Sequence, residues 1–225
     1  MKQDVVYVCE IENDIDDMIA AEYLHRQGRL KYIVLDNIVS SPRVEVLKKL
    51  GIRFEDDIEP AEDYVFCGGA FTKVANYLRY YKLTAFVANG GFAGDNIVAE
   101  PLPKFKGKRV VRTFNLNLDV RAAINVFNSR SIKLIRLVSK NVCHSPWNTY
   151  GALHKDNFIK HYHLRPGKCL HDLLMVKEGL RLIDRLPDIC NYENIKPYTK
   201  DQGIYTSWGS IPDPTSHITI STEFR

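Results

Sequence analysis

The chain alternates short apolar runs with stretches of mixed polarity. Val5-Val6-Tyr7-Val8-Cys9 is apolar throughout, as expected of a buried strand, and Met18-Ile19-Ala20-Ala21 with Tyr23 and Leu24 begins a helix. Residues 32–35, 64–67, 85–88 and 133–138 read as further strands. Helices are predicted over 42–50, closed by Gly51 as a C-cap residue, and over 72–81, where Val74, Leu78 and Tyr81 recur at helical spacing. Residues 120–128 predict another helix, and 170–186 a long one ending before Pro187. In 215–223, Ile218 and Ile220 alternate with polar residues, which predicts an edge strand. Alternating strands and helices predict an α/β fold, a single Rossmann-like domain over residues 1–225 with a mainly parallel sheet and helices on both faces.

Composition narrows the class without naming it. The 225 residues are 45% hydrophobic and 26% charged, ordinary for a globular domain large enough to bury a sizeable core. No apolar run approaches the roughly 20 residues that span a bilayer, so no membrane association is expected. Met1-Lys2-Gln3-Asp4 leads directly into the first strand, so no signal peptide is expected. The five cysteines are odd in number, scattered and free of any C-x-x-C pair. That favours a reducing, cytoplasmic setting over a disulfide or zinc framework. A net charge of +4 does not by itself call for nucleic acid.

The chemistry concentrates after the first strand, where Glu12, Asp14, Asp16 and Asp17 follow Glu10 within eight residues. Carboxylates this close repel unless a positive charge holds them, and a hard divalent cation bound by oxygen would do so. The alternative is helix capping by Asp14 or Asp16, which accounts for one or two acids but not for all of them. Glu12, Asp16, Asp17, Asn37, Gly68 and Asn89 all fall just past C-terminal strand ends. In a parallel sheet those ends share one edge and converge on one cleft. Gly68-Gly69 and Gly90-Gly91 also read as tight turns, and Asn37, Asn96 and Asn115 taken singly as turn or surface amides.

The acidic stretch Glu10-Ile11-Glu12-Asn13-Asp14-Ile15-Asp16-Asp17 resembles the D-x-D-P-G-x-D-D motif of the nucleoside hydrolases (inosine-uridine preferring). Other segments resemble that family in the same order. Asp36-Asn37 lies where the family has an asparagine, Gly69-Ala70-Phe71-Thr72 resembles G-P-L-T, and Asn89-Gly90-Gly91 resembles M-G-G. Gly94-Asp95-Asn96 resembles G-N, and Phe114-Asn115 with Asp119 and Ala122-Ala123 resembles E-F-N followed by D-P-E-A-A. Leu170-His171-Asp172-Leu173-Leu174-Met175-Val176 resembles x-H-D-P-L-A-V. The colinear order, spanning most of the chain, makes this a short, divergent nucleoside hydrolase-like sequence.

The resemblance implies a fold, a cofactor and roles. Ca²⁺ would be held by Glu12, Asp17, the carbonyl of Gly68 and Asp172. Glu12 would activate the water that cleaves the N-glycosidic bond of a ribonucleoside, and His171 would help protonate the leaving base. Asp16, Asn37, Asn89, Asn96 and Asn115 would bind the sugar. A homo-oligomer acting on a small nucleoside or nucleotide is expected. The departures carry expectations too. Glu12 and Glu10 replace aspartates, Asn13-Asp14 replaces Pro-Gly, and Thr113 stands where the family has a ribose-binding glutamate, with Glu100 the nearest substitute upstream. The stretch between Val142 and Leu170 is short, so base recognition should differ. A protein that keeps the fold without catalysis is the alternative.

One segment stands outside the resemblance. Lys104, Lys106, Lys108, Arg109 and Arg112 surround Phe105 between Asn96 and Asn115. Read as a solvated hairpin, the run does nothing further. Read as a phosphate site, Lys106, Lys108 and Arg109 would meet a 5′-phosphate or a nucleic-acid backbone, with Phe105 stacking on a base. His154, His161 and His163 lack partners at zinc spacing and read as surface loop.

Overall fold

A computed structural model of the chain describes residues 3–11, 14–36 and 41–225. The elements run β1 (Val5–Cys9), α1 (Ile15–Arg26), β2 (Leu30–Leu35), α2 (Pro42–Lys49), β3 (Phe54–Glu55), β4 (Tyr64–Cys67), α3 (Thr72–Tyr77) and β5 (Leu83–Asn89). They continue with α4 (Phe114–Leu118), α5 (Val120–Phe127), β6 (Ile132–Val138), α6 (Lys140–Cys143), α7 (His171–Asp184), β7 (Cys190–Asp201), β8 (Thr206–Pro212) and β9 (Ile218–Phe224). The nine strands form one mixed sheet in the order β3-β2-β1-β4-β5-β6-β9-β7-β8. From β3 through β9 the neighbours are parallel; only β7 is reversed, pairing antiparallel with β9 on one side and β8 on the other.

Side chains alternate across a strand, so each strand feeds two cores. Val6 and Val8 of β1 join Phe71, Val74, Ala123 and Val126 from α3 and its approach and from α5. Val5, Tyr7 and Cys9 of the same strand join Ala20, Leu24, Leu47, Met175 and Val176 from α1, α2 and α7. Both faces are therefore covered, which explains why the parallel strands read as continuous apolar runs. Gly179 permits a close approach of α7 to β4, because any side chain there would overlap the Phe66 ring.

After β1 the chain builds outward to β2 and β3, then crosses back to add β4 and β5 on the other side. The crevice between β1 and β4 is thus a topological switch point, the place where open α/β sheets bind ligands. It receives the start of α1 and the turn after β4. Asp14 caps α1, its side chain accepting from the Asp16 N–H, and Ser41 caps α2 in the same way.

Several expectations are corrected. The C-terminal strand β9 is interior, flanked by β6 and β7. Two of its polar side chains are buried against neighbours: Ser221 Oγ accepts from the Ser139 N–H, and Thr222 Oγ1 donates to the Asn191 carbonyl. The hairpin β7–β8 beyond it was not legible. β7 is rich in polar residues and buries only Cys190 and Ile195 fully, so it lacks an apolar run. The helix expected over 72–81 stops at Tyr77, and 3₁₀-like bonds close the following turn. His154 is no surface residue; it is 0% exposed and its Nε2 lies 2.7 Å from Asn148 Oδ1. The basic segment is not a hairpin but a 3₁₀ turn at Pro103–Phe105 followed by a bridge from Val111 to Trp208. Phe105 is buried, packing edge-on at 5.1 Å from Phe92 and 5.9 Å from His144, so it has no face free for a base. All five cysteines are free thiols. Among the described residues no helix is long and apolar enough to cross a membrane.

Candidate functional site

At the C-terminal edge of the sheet lies a cleft of about 330 Å³. Of the residues singled out in the sequence, Asp17, Gly68, Asn89, Asn115, His171 and Asp172 line it together. They come from five segments far apart in the chain, brought together because parallel strands end on one edge. Glu12 and Asn37 lie outside the described residues.

The centre is a pair of buried carboxylates. A methyl built on Gly68 would sit 2.5 Å from Asp17 Oδ1, 2.7 Å from the Tyr7 hydroxyl and 2.8 Å from Asp172 Oδ1. Both carboxylates therefore converge on the Gly68 backbone, and only glycine leaves them room. Tyr7 donates to Asp17 Oδ1 at 2.7 Å, and Asn89 Nδ2 donates to Asp172 Oδ1 at 2.9 Å. The other oxygen of each acid has no hydrogen-bond partner among the described residues. Burial, then mutual repulsion among Asp17, Asp16 and Asp172, pushes both Asp17 and Asp172 well above the usual carboxylate range.

The neighbouring side chains fix this pair. Asn115 donates both Nδ2 hydrogens, to the Gly68 carbonyl at 2.7 Å and the Asn89 carbonyl at 2.9 Å, which leaves its Oδ1 as an acceptor for the cleft. Asn89 is held by Asp172 on one side and by the Cys143 thiol, 3.4 Å from its Oδ1, on the other. Thr113 also lines the cleft, with a buried hydroxyl that has no partner among the described residues. Phe114, 57% exposed, adds an aromatic face.

Asp16 does not line the cleft. It is buried behind it, and its Oδ2 accepts from the Asp172 N–H at 2.9 Å, while Oδ1 has no partner among the described residues. Desolvation raises its carboxyl to about 7. A sugar contact from Asp16 is therefore replaced by a structural one. Asp36, beside the turn after β4, behaves similarly: it accepts from the Ala70 N–H at 2.6 Å, and burial lifts it to about 7. Asp14 faces the cleft paired with Lys168 Nζ, 2.9 Å from each carboxylate oxygen. Burial opposes its ionisation, but Lys168 and the capped N–H hold it below its ordinary value.

Three expected contacts fall elsewhere. Asn96 turns away and donates to the Ser210 carbonyl at 2.9 Å, pinning its loop to β8. Lys106, Lys108 and Arg109 are exposed and do not line the cleft, because the buried Phe105 anchors their turn on its outer side. Glu100 is likewise exposed and away from it. Lys140, Cys143 and His144, which do line the cleft, were overlooked in the sequence. They follow directly on β6, so the same strand-end argument that found Gly68 and Asn89 could have found them. Burial first, then the nearby positive groups, lowers His144 to about 3 and His171 to about 4, so both imidazoles are neutral at pH 7.

Among the described residues no three acidic, histidine or cysteine side chains gather as a metal cluster. Two carboxylates do converge on the Gly68 backbone, and a donor set of oxygens suits Ca²⁺ in kind. Two further features fit a cation: among the described residues no ion pair engages Asp17 or Asp172, and Gly68 keeps the space between them clear. Comparison with protein-family models, with curated proteins and with solved structures finds no match to this chain.

Proposed function

We propose that this chain is an N-ribosyl hydrolase of the nucleoside hydrolase kind, releasing the base from a ribonucleoside or related ribosyl compound. The observation that carries the reading is the convergence of Asp17 and Asp172 over the Gly68 backbone at the switch point of the sheet. Those positions lie in the very segments whose sequence resembles the metal-binding stretches of that family. Asp17, Asp172, the Gly68 carbonyl and Glu12 would hold Ca²⁺, which when bound neutralises buried carboxylates and lowers the pKa of a coordinated water.

The remaining roles belong to the chain itself. Glu12 takes the proton of the attacking water. Asn115 presents Oδ1 to a sugar hydroxyl, having spent its donors on Gly68 and Asn89. Thr113 offers an unpaired hydroxyl where a charged sugar contact is missing. His171, neutral at pH 7, supplies an N–H to the departing base. Phe114 covers the apolar face of the ligand.

The test is direct. The protein is incubated with ribonucleosides and Ca²⁺, and free base and reducing sugar are measured. Base release that Asp17→Asn abolishes and that 2′-deoxy substrates scarcely show supports the reading. No base from any ribonucleoside or ribonucleotide, together with a melting midpoint that ignores Ca²⁺ and chelator, overturns it and favours a non-catalytic binding protein.

A further inference from the structure

The β6 side of the cleft carries basic groups that the hydrolytic roles leave unused. Lys140 lines it with Nζ 3.5 Å from His144 Nε2, and the His144 ring stands 4.9 Å from that of His171. Lys104 reaches toward the same wall. Its ammonium lies 5.0 Å over Phe105, whose ring packs on His144, and its charge acts on Lys140, His144 and His171.

The state of Lys140 is the telling feature. Four lysines of the described chain are partly buried: Lys73, Lys140, Lys168 and Lys177. Three of them hold a carboxylate, Asp57 at 3.0 Å, Asp14 at 2.9 Å and Asp156 at 2.6 Å. Lys140 holds none among the described residues; its recorded polar neighbour is a histidine. Withdrawing an ammonium from water without a counter-charge is unfavourable, and the charge of a second lysine, Lys104, adds to the cost. An anionic ligand removes both penalties.

We propose that Lys140 and His144 form an anion subsite for the phosphate of a ribosyl phosphate, so that the substrate is phosphorylated, as in a nucleoside 5′-monophosphate. This names the substrate class of the hydrolase reading and rests on it. The ammonium and the His144 imidazole together match the several acceptor oxygens of a phosphate better than the two of a carboxylate. The sugar then lies between this wall and the Asp17–Asp172 pair within the same 330 Å³ cleft. Phosphate recognition thus falls to residues after β6, and the exposed Lys106, Lys108 and Arg109 take no part.

The experiment is calorimetric titration at low salt with ribose 5-phosphate and ribose, and with inorganic phosphate as a competitor in chelator. The wild-type protein should bind ribose 5-phosphate at least about tenfold more tightly than ribose, the effect of one charge-assisted contact. Lys140→Met and His144→Asn, each checked for folding by circular dichroism, should each cut that ratio severalfold while the Ca²⁺-dependent rise in melting midpoint persists. The triple replacement Lys106→Gln, Lys108→Gln and Arg109→Gln should retain the preference. Equal binding of the sugar and its phosphate overturns the subsite, as does a preference that survives both single variants and vanishes in the triple one. A phosphate preference without base release or Ca²⁺ response overturns the hydrolase reading and leaves the subsite standing.

Discussion

Asp16, in the first turn of α1, accepts a hydrogen bond from the backbone N–H of Asp172, in the first turn of α7, at 2.9 Å. Helix α7 begins after Leu170, which offers no side-chain cap, so Asp16 fills that role from 156 residues away. The same contact sets where the Asp172 carboxylate points. Structure and site therefore share one residue. Asp16→Ala should lower stability by about 1–2 kcal/mol, the range for a lost cap, and should also weaken Ca²⁺ binding by freeing Asp172 to shift. Asp16→Asn, which keeps an acceptor, should cost less on both counts. Urea unfolding with and without Ca²⁺ measures the two effects separately; a variant that loses stability but keeps full Ca²⁺ response would break the link.

Asp17→Asn should act in opposite directions with and without metal. Without it, the substitution removes one of the mutually repelling buried acids, so the midpoint should rise by about 2–4 °C, the shift for roughly 1 kcal/mol in a chain of this size. With excess Ca²⁺, the wild-type gain should be absent from the variant. Paired melting curves decide the matter, and an apo midpoint that falls by several degrees would mean that the carboxylate is structurally required.

Gly68→Ala should fill the space between the carboxylates, since the added carbon meets Asp17, Tyr7 and Asp172 within 2.8 Å. It should abolish both the Ca²⁺ response and base release. Gly90→Ala, whose added carbon meets only the Leu116 side chain at 3.5 Å, should fold and keep its Ca²⁺ response. Equal behaviour of the two variants would contradict the geometry at Gly68.

His154 sets an acid limit on stability. Burial, then Lys177, lowers it to about 3, so the folded chain keeps it neutral where the unfolded chain, with an ordinary value near 6.5, takes up a proton. Its contribution is complete above about pH 6.5 and is lost as pH falls toward 3, at roughly 1.4 kcal/mol per pH unit. His154→Gln keeps a donor for Asn148 and cannot titrate. Between pH 7 and 5 the wild type should therefore lose roughly 2 kcal/mol more than the variant, measured by urea unfolding at each pH. Parallel losses would show that His154 takes up its proton as readily in the fold as in the unfolded chain.

The sequence by itself determined the parallel core. Val5–Cys9, Tyr64–Cys67 and their companions are apolar on both faces because helices cover both, and a continuous apolar run is legible without partners. It also determined which strand ends meet: once the sheet is parallel, Asp17, Gly68 and Asn89 must share an edge. Only the tertiary structure decided what each side chain does there. Asp16 and Asp17 are adjacent in the chain, yet one faces the cleft and the other is buried behind it, because α7 brings its unsatisfied N–H groups to Asp16 alone. Asn96 and Asn115 are both loop amides in sequence, and the nearness of β8 or of Gly68 separates them. The β7–β8 hairpin stayed hidden for a related reason: its pairing rests on backbone hydrogen bonds, and those leave no apolar pattern to read.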